Sequence, residues 1–465
     1  MRLGRTLILA ALSCSWPVVG ARAETLVEAL TSAYATNADL LAARARLRAT
    51  DEGVPQAVAA WRPTVNLTSS VGNQDYLVGV GSLLPTSFSY KQWSYGGGIR
   101  LDWPVYQGGR RQADVSRAEQ TVRAARADLL GTEQNVLLEA ATSYEEVLRT
   151  RSLVKLDQEI ERLLERLVQA TTTRQEAGQL TQTDVYQAAT KLAAARVTQI
   201  GAAGDAAAAA ARYTAAIGDA PPAELAVPPP PPGLPASAAQ AVKLAVANNP
   251  TVVASLERAD ADKKAIAVAR ADLLPSITLS ARYTSDQGET FPTVPARGYS
   301  AEVDLTVPLY QSGAATSRLR QAEESASESE VQTWSSQRDA RKNAESADSQ
   351  WRAAVAQEAQ QREQVRLAQI AYQDVLKEAA LGAKSVFELL SQLQDFYNAR
   401  VSEVNAQENV AVRAYQLLVA IGRFTAADLH LPTPIYDPVA HYRKVRDKDG
   451  AFLPWLQPLL ESGPR

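Results

Sequence analysis

The sequence predicts a mainly α-helical chain that also contributes strands to a β-barrel, built from one strand–strand–long-helix–helix unit used twice. Three observations carry this expectation. Segments recur about 204 residues apart, two windows of more than a hundred residues hold no proline, and four short segments alternate apolar with polar residues.

The repeat is clearest where LDWPVYQGGR around Pro104 returns as LTVPLYQSGA around Pro308. EAGQLTQTDV at Gly178 matches ALGAKSVFEL at Gly382, and AAIGDA at Gly218 matches VAIGRF at Gly422, all 204 residues apart. Upstream the spacing is 212, as in YATNADLL at Asn37 against VANNPTVV at Asn249, and WRPTVNLTS at Pro63 against LLPSITLSA at Pro275. The first copy therefore holds eight extra residues between Pro63 and Pro104, which the sequence alone places in one loop.

Between the copies, residues 221–237 contain eight prolines and should form an extended, semi-rigid linker without internal hydrogen bonds. No proline occurs at 105–220 or 309–431, which suits long helices, since proline removes a backbone donor and breaks them. Leu153, Leu156, Ile160, Leu163 and Leu167 step by 3, 4, 3, 4, a coiled-coil seam. In the second copy Leu390, Leu393, Tyr397, Val401 and Val404 do nearly the same. Gly178 and Gly382 interrupt both windows, where glycine supplies the left-handed turn that reverses a helix. The expected helices are about 109–177 and 180–217, then 313–381 and 385–421. A 69-residue helix from Gly109 to Ala177 would be roughly 100 Å long.

Expected strands lie at about 64–72, 94–105, 276–284 and 299–309. Val65, Leu67 and Val71, or Ile277, Leu279 and Tyr283, fall on one face, with small or charged residues on the other. Outward apolar, inward polar strands of this length with terminal aromatics such as Trp103, Tyr106 and Tyr310 mark an outer-membrane barrel. A soluble sandwich would need a second sheet, which four strands amid long helices do not provide. Four strands cannot close a barrel either, and bare edges in lipid cost several kcal/mol per group. Three chains would pool twelve strands around an open lumen. The hairpin tips, about 73–93 and 285–297, then face outward and all helices lie in the periplasm.

The N-terminus fits export. Residues 1–23 have a basic start, an apolar core and a small-residue close at Ala21 and Ala23, a secretory signal. The only cysteine, Cys14, lies inside it, and Ala11 stands where a lipid-attachment site usually has leucine, which argues against lipidation. The first repeat then spans 24–220, the second 238–430, and a periplasmic tail 431–465. Acidic side chains outnumber basic ones, 51 to 48, so nothing courts nucleic acid. The two histidines, His430 and His441, sit in the tail, and no nucleophile elbow, zinc-binding helix or phosphate loop occurs, so no enzyme, cofactor or metal is expected.

On these features the chain resembles the TolC-like outer-membrane factors of Gram-negative bacteria over nearly its whole length. The likeness rests on the duplication, the P-x-Y-x-G-G crossing, and the glycine turns followed by Thr181–Val185 and Lys384–Glu388. The tail LPTPIYDPVAHYRKVRD looks most like members associated with type I secretion. The resemblance implies a homotrimer in outer-membrane lipid, with a 12-stranded barrel continued by a periplasmic coiled-coil tunnel. It also implies a periplasmic adaptor and an inner-membrane ABC or RND-type transporter, exporting protein or small toxic compounds. A periplasmic coiled-coil adaptor or spacer is the rival, and the alternating strands are what it lacks.

Asp184 lies six residues past Gly178, and Glu388 six past Gly382. Repeated threefold they could ring the tunnel's end, or be ordinary solvated helix charges. By resemblance they match entrance acids and gate contacts, Lys384 matches an arginine that bonds across to the neighbouring hairpin, and Thr183 with Asp184 are its partners. Lysine grips a carboxylate less rigidly than arginine. The family's gate tyrosine falls at Ala379 and its second acid at Ser391, which implies a looser gate and a single acidic ring. Gly178 and Gly382 become adaptor-docking tips. Pro104, Tyr106 and Gly109, with Pro308, Tyr310 and Gly313, mark where strands end at proline and turn into long helices. Pro55 should kink the helix around it.

Overall fold

A computed structural model of the protein describes residues 23–79, 87–287 and 295–448. The signal-peptide reading and the end of the tail fall outside them. The chain runs α1 (Leu26–Thr36), α2 (Ala38–Asp51), α3 (Gly53–Ala59), β1 (Thr64–Gly79), β2 (Ser87–Gln107), α4 (Arg110–Glu176) and α5 (Gln182–Ile217). The second half repeats this as α6 (Ala238–Asn248), α7 (Pro250–Ala271), β3 (Ser276–Gln287), β4 (Ala296–Thr306), α8 (Ala314–Ala380) and α9 (Val386–Ala420), with α10 (Ala440–Val445) in the tail.

Both long helices, α4 and α8, have 67 residues and so extend roughly 100 Å. Along α4, the part near the sheet packs on α2, α3 and α7, and the far part on α5 and α9. The α2–α3 break lies at Glu52, just before Pro55 in the first turn of α3. Proline's missing N–H cannot bond the Asp51 carbonyl, so one helix becomes two. The main core sits midway along the molecule, where Tyr144, Tyr213, Leu137, Leu418, Ile421 and Phe424 are all buried.

The four strands form one antiparallel sheet in the order β1-β2-β3-β4, leaving one edge of β1 and one of β4 unpaired. Its apolar face is bare: Leu67, Tyr299, Val303 and Leu305 are 64–91% exposed. Trp103 and Trp93, both exposed, lie ten residues apart on β2. At about 3.3 Å per residue and a tilt near 40° they bracket roughly 25 Å, the height of an outer-membrane apolar band. Beyond Trp93 the outward face turns charged, with Lys91 beside Asp75 at 4.0 Å. No described helix is long and apolar enough to cross a membrane.

Three expectations about the strands need correction. Residues 73–93 are not chiefly a loop, because β1 and β2 pair continuously from Thr64↔Asp102 to Gly79↔Ser87. Tyr76, Leu77 and Val78 opposite Phe88 and Tyr90 are β-forming residues that carry the ladder on. The eight extra residues therefore lengthen the first hairpin, since the stretches between its strands and between β3 and β4 are nearly equal. Pro104 does not end its strand: β2 continues to Gln107, and the register slips between Pro104 and Tyr106. A proline fits there because a bulge needs no ladder donor at that point. Pro308 does follow a strand end, but β4 stops at Thr306 rather than near 309.

The recurring A-I-G motif closes α5 and α9. Gly218 and Gly422 have φ of 102° and 75°. A Cβ on Gly422 would lie 2.4 Å from the Asn248 carbonyl oxygen and 2.9 Å from the Asn249 nitrogen. At Gly218 its nearest neighbour is the movable Thr36 hydroxyl, at 3.0 Å. Left-handed backbone alone costs an alanine about 1–2 kcal/mol. Gly422→Ala should therefore sharply lower the yield of folded trimer, read by heat-modifiable gel migration, and Gly218→Ala should lower it less.

Candidate functional site

The two helical hairpins reverse at Gly178 and Gly382, with φ of 74° and 78°. A Cβ placed on either glycine would meet nothing within 4 Å, so the outer side of both tips is open. Each return helix starts with a capping box. The Thr181 hydroxyl accepts from the Asp184 N–H, while the Asp184 carboxylate accepts from the Thr181 N–H at 2.9 Å and hydroxyl at 2.7 Å. Ser385 and Glu388 repeat this at 3.0 Å for both carboxylate contacts. These bonds hold the Asp184 carboxyl below its usual range, and with Lys384 they bring Glu388 down to about 2. The motifs T-x-T-D and S-V-F-E thus have a local cause, closing the helix N-terminus.

Lys384 does not reach across to the other hairpin within the protomer. Its ammonium donates to Glu388 at 2.9 Å, in the first turn of the helix that Lys384 precedes, where a flexible lysine finds the nearest carboxylate. Asp184 and Lys384 nevertheless line one cleft of about 790 Å³ between the tips, together with Arg174, Ala379 and Gly382. Thr183 is exposed beside it.

The link the sequence reading missed is Arg174. Its guanidinium donates to the Ala379 carbonyl oxygen at 3.2 Å and to the Gln179 side chain at 3.3 Å, tying the end of α4 to the end of α8. It thereby bonds the backbone of the residue where the resembled family has its tyrosine. An arginine just before the turn in EAGQLT was the available signal.

Away from the tips, α4 and α9 are joined by buried and half-buried polar pairs. Tyr397 donates to Asp157 at 2.7 Å, Arg149 meets Glu408 at 2.9 Å, and Tyr415 donates to Glu145 at 2.9 Å. Burial pushes the Glu145 carboxyl up to about 7 against the pull of the Tyr415 hydroxyl, and Glu408 adds to the rise. Leu164, Leu390 and Leu393 form the apolar part of this seam, with Ile160, Leu163 and Leu167 at its rim. Leu164 rather than Leu163 is the buried knob.

At the other end, Gly109 and Gly313 cap α4 and α8 with φ of 81° and 80°. Asp272 holds both helix starts, accepting from Arg110 at 2.5 Å and from Arg318 at 3.0 Å. Tyr106 is 47% exposed and Tyr310 87%, both beside this crossing.

A bare lipid-type sheet face, two unpaired edges and two 67-residue helices ending in open hairpins define a barrel-and-tunnel channel of the outer membrane. The chain belongs to the outer membrane efflux protein family, which matches residues 29–219 and 241–423, one match per repeat. It is 31% identical over 454 residues to the outer membrane efflux protein BepC of Brucella suis, covering 96% of both chains. It is 22% identical over 424 residues to the outer membrane protein TolC of Vibrio cholerae, covering 88% of this chain and 92% of that one. Its fold matches the Campylobacter jejuni CmeC outer membrane channel at a TM-score of 0.77 and 14% identity, over 91% and 89% of the two chains. The protein is accordingly an outer-membrane efflux channel, a trimeric barrel continued by a periplasmic helical tunnel. The reading as a periplasmic adaptor or spacer is not favoured.

Because folded Glu145 keeps its proton where the unfolded chain releases it, stability should fall as pH rises from about 4.5 to about 7, then level off. Glu145→Gln retains an acceptor for Tyr415 and buries no charge. Urea dissociation of the trimer should show this dependence flattened, with a gain at pH 8 of up to about 3 kcal/mol.

Proposed function

We propose that the hairpin tips are both the gate and the docking surface of this channel. A periplasmic adaptor engages the open turns at Gly178 and Gly382, and an inner-membrane transporter of ABC or RND type supplies the cargo. The conduit itself is passive. The observation that carries the gate reading is the Arg174 bond to the Ala379 carbonyl, which ties the two hairpins of one chain at their ends. Asp184 and Lys384 supply opposite charges to the adjoining cleft between the tips, and Glu388 holds Lys384 in place. Opening requires the hairpins to splay, and so breaks the Arg174 bond in each of the three chains.

Two features support a latch of modest strength. Ala379 offers only its backbone, and the lysine at 384 is already occupied by Glu388. Each net hydrogen bond contributes about 1 kcal/mol, and three copies act together.

Purified trimer in planar bilayers should therefore conduct weakly, and Arg174→Ala should raise open probability at least about tenfold, since 1.4 kcal/mol is a factor of ten. Arg174→Lys should fall between the two. Absence of conductance from both wild type and an Arg174→Ala, Lys384→Ala double variant would overturn the channel reading.

A further inference from the structure

The lumen face of the sheet carries charge in bands. Its polar side chains come from alternate residues, and the strand register sets which of them share a height. Arg100 of β2 stands directly opposite Arg282 of β3, and Arg282 stands opposite Ser300 of β4. One rung toward the helices, Asp102 is opposite Ser280, and Ser280 opposite Glu302; one rung further, Thr278 faces Asp304. The next rung outward from the arginines is neutral, with Gly98, Thr284 and Gly298.

The two arginines are not equivalent. Arg100 donates to both oxygens of Asp102 at 2.7 and 3.0 Å, two residues along its own strand, which neutralises it. Among the described residues Arg282 has no ion-pair partner, and its side chain is exposed. Like charges directly opposed across a ladder are destabilising, so the pairing of Arg100 with Arg282 is not explained by sheet stability. Asp304 accepts from the Ser280 hydroxyl at 3.3 Å, and among the described residues neither it nor Glu302 is ion-paired. The remaining lumen acid, Asp286, lies four residues beyond Arg282 toward the exterior, about 13 Å at strand rise.

We propose that Arg282 is a selectivity-determining residue of the barrel: its three unpaired guanidinium groups form an electropositive collar just outside an acidic collar of Glu302 and Asp304. Anionic groups on a passing solute dwell at the outer collar and cationic groups at the inner one. The dimensions allow this. Twelve strands about 4.8 Å apart and tilted near 40° enclose a backbone radius of roughly 12 Å. At 0.1 M salt the screening length is about 10 Å, so most of the lumen lies within reach of the wall, whereas at 1 M it is about 3 Å and the collar is screened. The inference rests on the barrel reading above and adds to it the sign and height of the charge.

The test reads local potential without relying on the gate. Cys14 is the only cysteine, and it lies at the N-terminus, upstream of both repeats, so Ser300→Cys places one reporter thiol per chain opposite Arg282. Its modification rates are measured from the outside with a cationic trimethylammonium and an anionic sulfonate methanethiosulfonate, each normalised to a free thiol. Adding Arg282→Ser should lower the anionic-to-cationic rate ratio at least about threefold at 0.1 M salt, given the Coulomb energy of one charge at this distance in water. Arg282→Lys should leave the ratio nearly as it was, and 1 M salt should abolish the difference. A ratio indifferent to Arg282→Ser in a trimer of normal migration overturns the collar. A reporter that reacts with neither reagent overturns the lumen placement, and the channel reading with it.

Discussion

Everything in this molecule follows from two unpaired strand edges. In a single chain one side of β1 and one side of β4 present bare N–H and C=O groups, and the apolar face of the sheet turns them into lipid. Hydrocarbon offers those groups no partners, so the chain has no membrane-inserted state of its own. Closure through other copies supplies the missing bonds and simultaneously fixes the arrangement of the helices beneath. The Asp272 carboxylate, gripping the first turns of both α4 and α8, passes the spacing of strands on to the spacing of long helices. Barrel closure and tunnel assembly are therefore one event.

Much of this is legible in the residues alone. The alternation Val65, Leu67, Val71 and its copies identifies the lipid face, and the prolines by their absence identify α4 and α8. What cannot be read there is set by competition between partners at similar distance. Asp184 and Glu388 look like pore acids by position, yet each first satisfies a helix N-terminus through Thr181 or Ser385. The two roles are compatible, because a capping carboxylate stays charged, but the spacing six residues past a glycine has its own local explanation. Lys384 illustrates the same limit: a carboxylate four residues along, in the first turn of the helix that follows, is near at once, whereas a neighbouring hairpin must be brought there. Arg174 escapes notice because its local contact, the Gln179 side chain, is an ordinary turn bond, whereas the contact that ties the hairpins is to a backbone carbonyl 205 residues away.

The two halves differ where they meet. Shifted by the repeat spacing, Asp157 becomes Gln361 and Tyr397 becomes Ala193, while Arg149 becomes Ala353 and Glu408 becomes Gly204. The polar pairs joining α4 to α9 thus have no counterpart on α8 and α5. Duplication supplied the scaffold, and later substitution made one of its two kinds of seam specific. Burial of Glu145 near neutrality and the tyrosine bonds to Asp157 and Glu145 belong only to that seam.

The unequal hairpins shape the cell surface. β1 has 16 residues and β3 has 12. At about 3.3 Å per residue and a tilt near 40° these rise roughly 40 Å and 30 Å, against an apolar band of about 25 Å. Three tall ribbons must alternate with three short ones around the mouth, so the exit is a notched crown rather than a level rim. Its teeth, with Asp75 and Lys91 on their flanks, stand about 10 Å above the gaps. Cargo leaving at an angle would pass between the taller strand pairs.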